Sequence, residues 1–161
     1  MLKRFYFTVI LVVLSLFVVG NCFANVKISD GIYSGMTLEQ VKNQIELEKH
    51  GTDKGLVSYK QPEEFDIYFF RQDNMELIYK ISFFQIQSWD KMMNLLKSNS
   101  VCYTAKENNN GLITHFFNLG DDVGVKMSKY NDKAFQIWYG SISRWNELAK
   151  ENNKLREFPG L

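Results

Sequence analysis

Cysteine is scarce in this chain: Cys22 and Cys102 are the only two in 161 residues. Cys22 lies in the N-terminal segment that the export reading below removes. Cys102 is then alone, and no intrachain disulfide can form. Val101 and Tyr103 flank it in a strand-like run, so a buried, inert thiol is expected. Histidine is equally scarce, with His50 and His115 as the whole supply. Neither has cysteine or acid at metal-ligand spacing, so no zinc site is expected. Charge of one sign is missing as well. Nineteen Lys and Arg stand against 18 Asp and Glu, which gives no basic face for nucleic acid. A membrane-spanning run is missing too. The longest apolar stretch is Phe5–Val19, broken by Tyr6, Thr8 and Ser15. Its roughly 15 residues fall short of the ~20 that a bilayer helix needs.

What the N-terminus does contain is an export pattern. Lys3 and Arg4 give a positive start, the apolar run follows, and Gly20 and Asn21 end it. Cys22 and Ala24 supply small residues where a signal peptidase reads. Residues 1–24 are therefore expected to be a signal peptide cleaved after Ala24, with the protein periplasmic or secreted. Two alternatives stay open: an uncleaved anchor, and lipid attachment at Cys22, which Asn21 before it disfavours. Residues 25–161 are expected to form one α+β domain. A chain of that size can bury a core without staples.

The pattern along residues 25–161 alternates between helix and strand periods. Residues 25–35 are a lead-in that Ile28, Ile32 and Tyr33 can tie down. Thr37 followed by Gln40 makes a capping box, and Met36 can staple onto Val41. Leu38, Val41 and Ile45 then share a helical face, and His50-Gly51 is expected to end that helix. Leu56–Gln61, Phe65–Gln72 and Met75–Ile86 read as strands, with Pro62 and Asp73-Asn74 marking turns. Ser88 is expected to cap a second helix carrying Trp89, Met92, Met93 and Leu96. Val101–Lys106, Leu112–Leu119, Val123–Tyr130 and Lys133–Tyr139 read as four more strands. Ser141 is expected to cap a closing helix over 141–157, with the last residues through Phe158-Pro159-Gly160 frayed.

The order is helix, three strands, helix, four strands, helix. Tight turns make neighbouring strands antiparallel. The expected class is α+β, an antiparallel meander sheet with helices on one face. Residues 36–86 and 88–140 repeat a helix-then-meander plan with a period of about 50 residues, without evident residue identity between them.

The stretch Gly35-Met36-Thr37, with Val41 four residues on, resembles the opening of small bacterial envelope proteins of the outer-membrane assembly lipoprotein and β-lactamase-inhibitor-like group. The resemblance implies a non-enzymatic binding domain with an α/β-meander plan. It assigns no functional residue. The chain departs from those groups in lacking a good lipidation signal and in lacking paired cysteines.

No catalytic constellation stands out, so an enzyme is not expected. His50 reads as a helix-terminal residue and His115 as a mid-strand one. Cys102 and His115 could face each other across the Asn-rich hairpin, but nothing nearby would activate the thiol or orient the imidazole. Glu63-Glu64 and Asp121-Asp122 read as solvated turn acids, too few for a calcium shell. No cofactor is expected.

The unusual feature is aromatic content, 15% of the chain. Strand alternation places Phe65, Ile67, Leu77 and Ile81 on a core face. It places Asp66, Tyr68, Phe70, Ile78, Lys80, Lys126, Ser128, Tyr130, Gln136 and Trp138 on the other. Aromatics mixed with lysine and glutamine suit a protein-binding surface. Tyr68, Phe70, Tyr130 and Trp138 are its candidate contact residues, unless the closing helix covers that face and makes them core. The expected function is an exported binding protein of the bacterial envelope. It would be an assembly factor, or an immunity or inhibitor protein against an exported toxin or enzyme. The alternative is a periplasmic domain that closes an aromatic sheet over a small molecule or lipid.

Overall fold

The computed structural model describes residues 25–108, 111–152, 155 and 157–159. The expected signal peptide, residues 1–24, lies outside the described residues. A short hairpin comes first, β1 (Lys27–Ser29) and β2 (Ile32–Tyr33), then helix α1 (Leu38–Lys42). A meander follows: β3 (Glu48–Asp53), β4 (Leu56–Lys60), β5 (Ile67–Arg71) and β6 (Leu77–Gln85). Helix α2 (Trp89–Asn99) leads into a second meander of β7 (Cys102–Glu107), β8 (Ile113–Asn118), β9 (Val123–Lys129) and β10 (Ala134–Ser141). Helix α3 (Ile142–Glu151) closes the chain. The class is α+β and the sheet is antiparallel, as the turn chemistry requires.

The eight main strands form one sheet in the order β3-β4-β5-β6-β10-β9-β8-β7. The two meanders meet at β6 and β10, where Ile81 lies opposite Trp138. The strand order reads the same from either edge, and each meander begins with a helix. A half-turn about an axis through the Ile81–Trp138 pair therefore superposes the plan of one half on the other. This arrangement contains a strand that sequence reading assigned to helix. Residues 48–53 are β3, paired to β4, so α1 ends at Lys42 and exposed His50 lies in an edge strand. The reason is local. Glu48-Lys49-His50-Gly51-Thr52-Asp53 has no apolar alternation, because an edge strand with few buried side chains does not need one.

The helices divide between the faces. Strand alternation and the core clusters define them. One face carries Tyr59, Tyr68, Phe70 and Leu77, covered by the N-terminal hairpin and Val41 of α1. The same face continues into Phe117, Val125, Met127, Phe135 and Ile137, covered by Met93 and Leu96 of α2. Helix α3 lies on the opposite face. There Ile142, Trp145 and Leu148 pack with Leu56, Ile78, Tyr79 and Ile81.

The ends of α3 are fastened. Ser141 accepts from the Arg144 N–H at 3.2 Å, and Asp122 accepts from the Ser143 N–H at 2.8 Å. Asp122 is thus a helix-capping acid rather than a solvated one. Phe158 does not fray. It is buried, and its N–H donates to Asn146 Oδ1 at 2.6 Å. Ser88 makes no side-chain cap, since a turn of 3₁₀ helix over Ile86–Ser88 carries the chain into α2. Cys102 is half-buried in edge strand β7 rather than sealed, beside the exposed Val101. Among the described residues, no helix is long and apolar enough to cross a membrane.

Candidate functional site

The four candidate contact residues do not share a surface. Tyr68 is 1% exposed and Phe70 0%, both in the core under the N-terminal hairpin. Tyr130 and Trp138 belong to the other face. Two physical facts explain the split. Strand β5, Ile67-Tyr68-Phe69-Phe70-Arg71, is apolar in both rows, so its own alternation cannot say which row is inward. A bulge then shifts the β5–β6 register, with Phe69 opposite Tyr79 but Phe70 opposite Leu77. The extra residue puts Leu77 on a different face from Tyr79 and Ile81. Phe65, expected in the core, is 75% exposed.

The face that carries Trp138 has two halves. The first lies under α3. Phe69, Tyr79 and Trp138 stack there, with centroids 4.7 Å apart for Phe69–Tyr79 and 4.8 Å for Tyr79–Trp138. Trp145 of α3 meets Tyr79 and Trp138 edge-on at 5.2 and 5.8 Å. Lys126 threads into this stack. Its Nζ lies 3.4 Å from the Trp145 ring centroid and 4.6 Å from that of Trp138. Burial lowers the Lys126 ammonium pKa to about 7. The two indole faces act in the opposite sense, since their electron density favours the charged form. Burial also pushes the Tyr79 phenol well up. The cavity left beside these side chains is only about 20 Å³, bordered by Gly124, Gly140, Ile142 and Phe158.

The second half has no cover among the described residues. Phe83, Ile67 and Gln136 form its floor, and Tyr130 and Phe65 its rim. Tyr130 is 64% exposed and meets Phe83 edge-on at 5.3 Å. The Lys60 Nζ stands 5.8 Å over the Phe65 ring. Gln136 Nε2 donates to Ser128 Oγ at 3.2 Å, which fixes the amide on the strand. Phe65, Phe83, Tyr130, Lys133 and Ala134 line an open cleft at this end. Large rings held on rigid strands lose little entropy on contact, and such groups dominate binding energy at protein interfaces. Phe65 and Phe83 were readable only as core residues from sequence, because period-two spacing marks a face without saying what covers it.

The residues considered for chemistry are scattered. Cys102 pairs in register with Asn118, and His115 with Ala105, so the two side chains leave opposite faces of the sheet. No thiol–imidazole pair forms. His115 sits between Trp89 and Tyr103, with its Nδ1 hydrogen-bonded to the Tyr103 hydroxyl at 2.8 Å. Burial first, then the Lys97 charge, lowers its pKa. Among the described residues, no three His, Cys, Asp or Glu side chains come together as a metal site would require. Comparison with protein-family models, with curated proteins and with solved structures finds no match to this chain.

Proposed function

We propose that the chain is an exported, non-enzymatic binding protein of the bacterial envelope that acts through protein–protein contact at the uncovered half of its sheet. It serves there as an assembly factor, or as an immunity or inhibitor protein that holds an exported toxin or enzyme. The observation that carries this reading is the aromatic rim of Phe65 and Tyr130 over Phe83. A face that met only water would be polar at those positions. The export pattern in residues 1–24 and the resemblance around Gly35-Met36-Thr37 support the same reading. A small-molecule or lipid site has less behind it. The cavity under α3 is about 20 Å³, far below the usual range for ligand pockets.

Immobilised residues 25–161 test this against periplasmic extract. The protein is expected to retain a specific partner protein. Phe65→Ala with Tyr130→Ala should abolish that retention while leaving the thermal melt unchanged. Retention untouched by the double variant, or a lipid or metabolite recovered in place of a protein, would overturn the reading.

A further inference from the structure

The covered and uncovered halves of the Trp138 face are counterparts. The half-turn that exchanges the meanders maps Ile81 onto Trp138, and so maps the ground under α3 onto the open ground. Tyr79 falls on Gln136, Phe69 on Ser128 and Gly140 on Phe83. Gly124, opposite Gly140, falls on Phe65 when the Ile67–Ile81 register is carried two residues beyond the start of β5. One half of this symmetric floor already carries a helix. The other half continues from the same aromatic floor and carries no element among the described residues.

We propose that the open half binds an amphipathic helix of a partner protein, apolar on its docked face and acidic along its flank. This rests on the binding reading above and names the partner element. Three observations carry it. First, the floor is one surface: Ile81 and Trp138 border both halves, so an incoming helix extends an existing helix-on-sheet contact. Second, the floor differs where it should. Gly124 lets α3 sit close, since a β-carbon there would fall 2.6 Å from Ile142 Cγ1, while Gly140 leaves room for Tyr79 of the neighbouring strand. Phe83 and Phe65 stand at the corresponding places. There the sheet supplies the bulk, and the incoming helix should carry Ala, Val and Leu where α3 carries Trp145. Third, lysines stand over the floor itself. Helix α3 is held at its flank by Glu147, 3.3 Å from Arg71, and by Glu151 on the same guanidinium. On the open half, Lys60 overhangs Phe65 and Lys133 lines the cleft. Among the described residues neither has a carboxylate in ion-pair reach, while Glu63, Glu64 and Asp132 stand exposed in the turns beyond.

Displayed peptide libraries test the proposal on folded residues 25–161. One library is helical, with small apolar residues at i, i+3, i+4 and i+7 and either Glu or Lys flanks. A second is extended, with alternating apolar residues. The Glu-flanked helical library is expected to yield binders. Phe65→Ala with Tyr130→Ala should weaken them at least tenfold at an unchanged melting temperature. A proline at the centre of each selected peptide should abolish binding. Chemical-shift changes should centre on Ile67, Phe83, Gln136 and Tyr130. Enrichment of extended or Lys-flanked sequences, proline-tolerant binding, shifts elsewhere, or no binders at all would overturn it. The broader reading fails separately: a partner retained through Phe65 and Tyr130 with only extended peptides selected removes the helix and keeps the interface.

Discussion

Arg144 lies flat against the bare α-carbon of Gly35. A β-carbon at Gly35 would collide with Arg144 Nη2 and fall 2.7 Å from its Cζ. Gly35 also holds φ at +88°, a conformation that side chains resist. The glycine therefore admits an arginine from the far end of the chain, and that arginine pairs with Glu76 at the start of β6. The Arg144 Nη2 also reaches Asn25 Oδ1 at 3.4 Å. One guanidinium thus ties the N-terminal lead-in, the central strand and the closing helix.

Gly35→Ala is expected to cost ~3 kcal/mol, from backbone strain together with overpacking. The cost should fall to ~1 kcal/mol in an Arg144→Ala background, where only the strain remains. Urea melts of the four proteins in this cycle measure the coupling. Additive losses would show that the two residues do not meet. Arg144→Ala alone is expected to cost about 3–5 kcal/mol, because Glu76 loses its partner in a half-buried place.

Lys126 should make stability depend on pH. Its pKa is about 7 in the fold and ~10.4 when unfolded. Between those values the unfolded chain holds more protons, so stability rises with pH there. Below about pH 7 the lysine is charged in both states and its burial penalty is complete. Lys126→Met keeps the packing and removes the charge. The variant is expected to be more stable than wild type at pH 6 by ~1–3 kcal/mol, with the gap narrowing toward pH 9. Thermal melts across pH 6–9 check this. A variant less stable at pH 6 would mean that the Trp138 and Trp145 contacts outweigh burial.

Tyr68→Ala and Phe70→Ala should each destabilise by ~3–5 kcal/mol, since both fill the core under the N-terminal hairpin. Phe65→Ala and Tyr130→Ala should lie within ~0.5 kcal/mol of wild type, as exposed substitutions usually do. Denaturant titration of the four variants separates the faces. Equal losses in both pairs would mean that the rim rings are core.

Thr37→Ala should cost ~1 kcal/mol. The Gln40 N–H donates to Thr37 Oγ1 at 3.3 Å, and the Thr37 N–H donates to Gln40 Oε1 at 2.8 Å. The box has unusual weight here because α1 is only five residues long. Thr37→Ser should retain most of the stability, and a Ser variant as weak as Ala would argue that the methyl, not the cap, matters.

The contrast between Thr37 and β3 shows where sequence information lies. A capping box is written in two residues three apart, and it was legible. Apolar runs bounded by turn residues made β4 to β10 legible to within a residue or two. β3 was not, because its charged residues answer to solvent at a sheet edge. Face assignment failed at Tyr68 and Phe70 for another reason. Inward and outward are properties of neighbouring strands in register, and a single bulge near Ile78 reverses them. The uncovered aromatic half needed the position of α3, which no local pattern in Phe65, Phe83 or Tyr130 encodes. The capping role of Asp122 was hidden likewise, since its partner Ser143 lies beyond β10.

The junction of the two meanders also decides how the chain can be assembled. Synthesis delivers β6 early, with β5 on one side and no neighbour on the other until Ala134–Ser141 arrive about a third of a chain later. Through that interval the centre of the finished sheet is a free edge nine residues long, and Ile78, Tyr79 and Ile81 lack the closing-helix residues that cover them in the fold. Unpaired apolar edges of that length recruit other chains. Fragments that stop short of Ser141 should therefore clump rather than persist as half-size folds, and intact chains should need a chaperone until translation is complete.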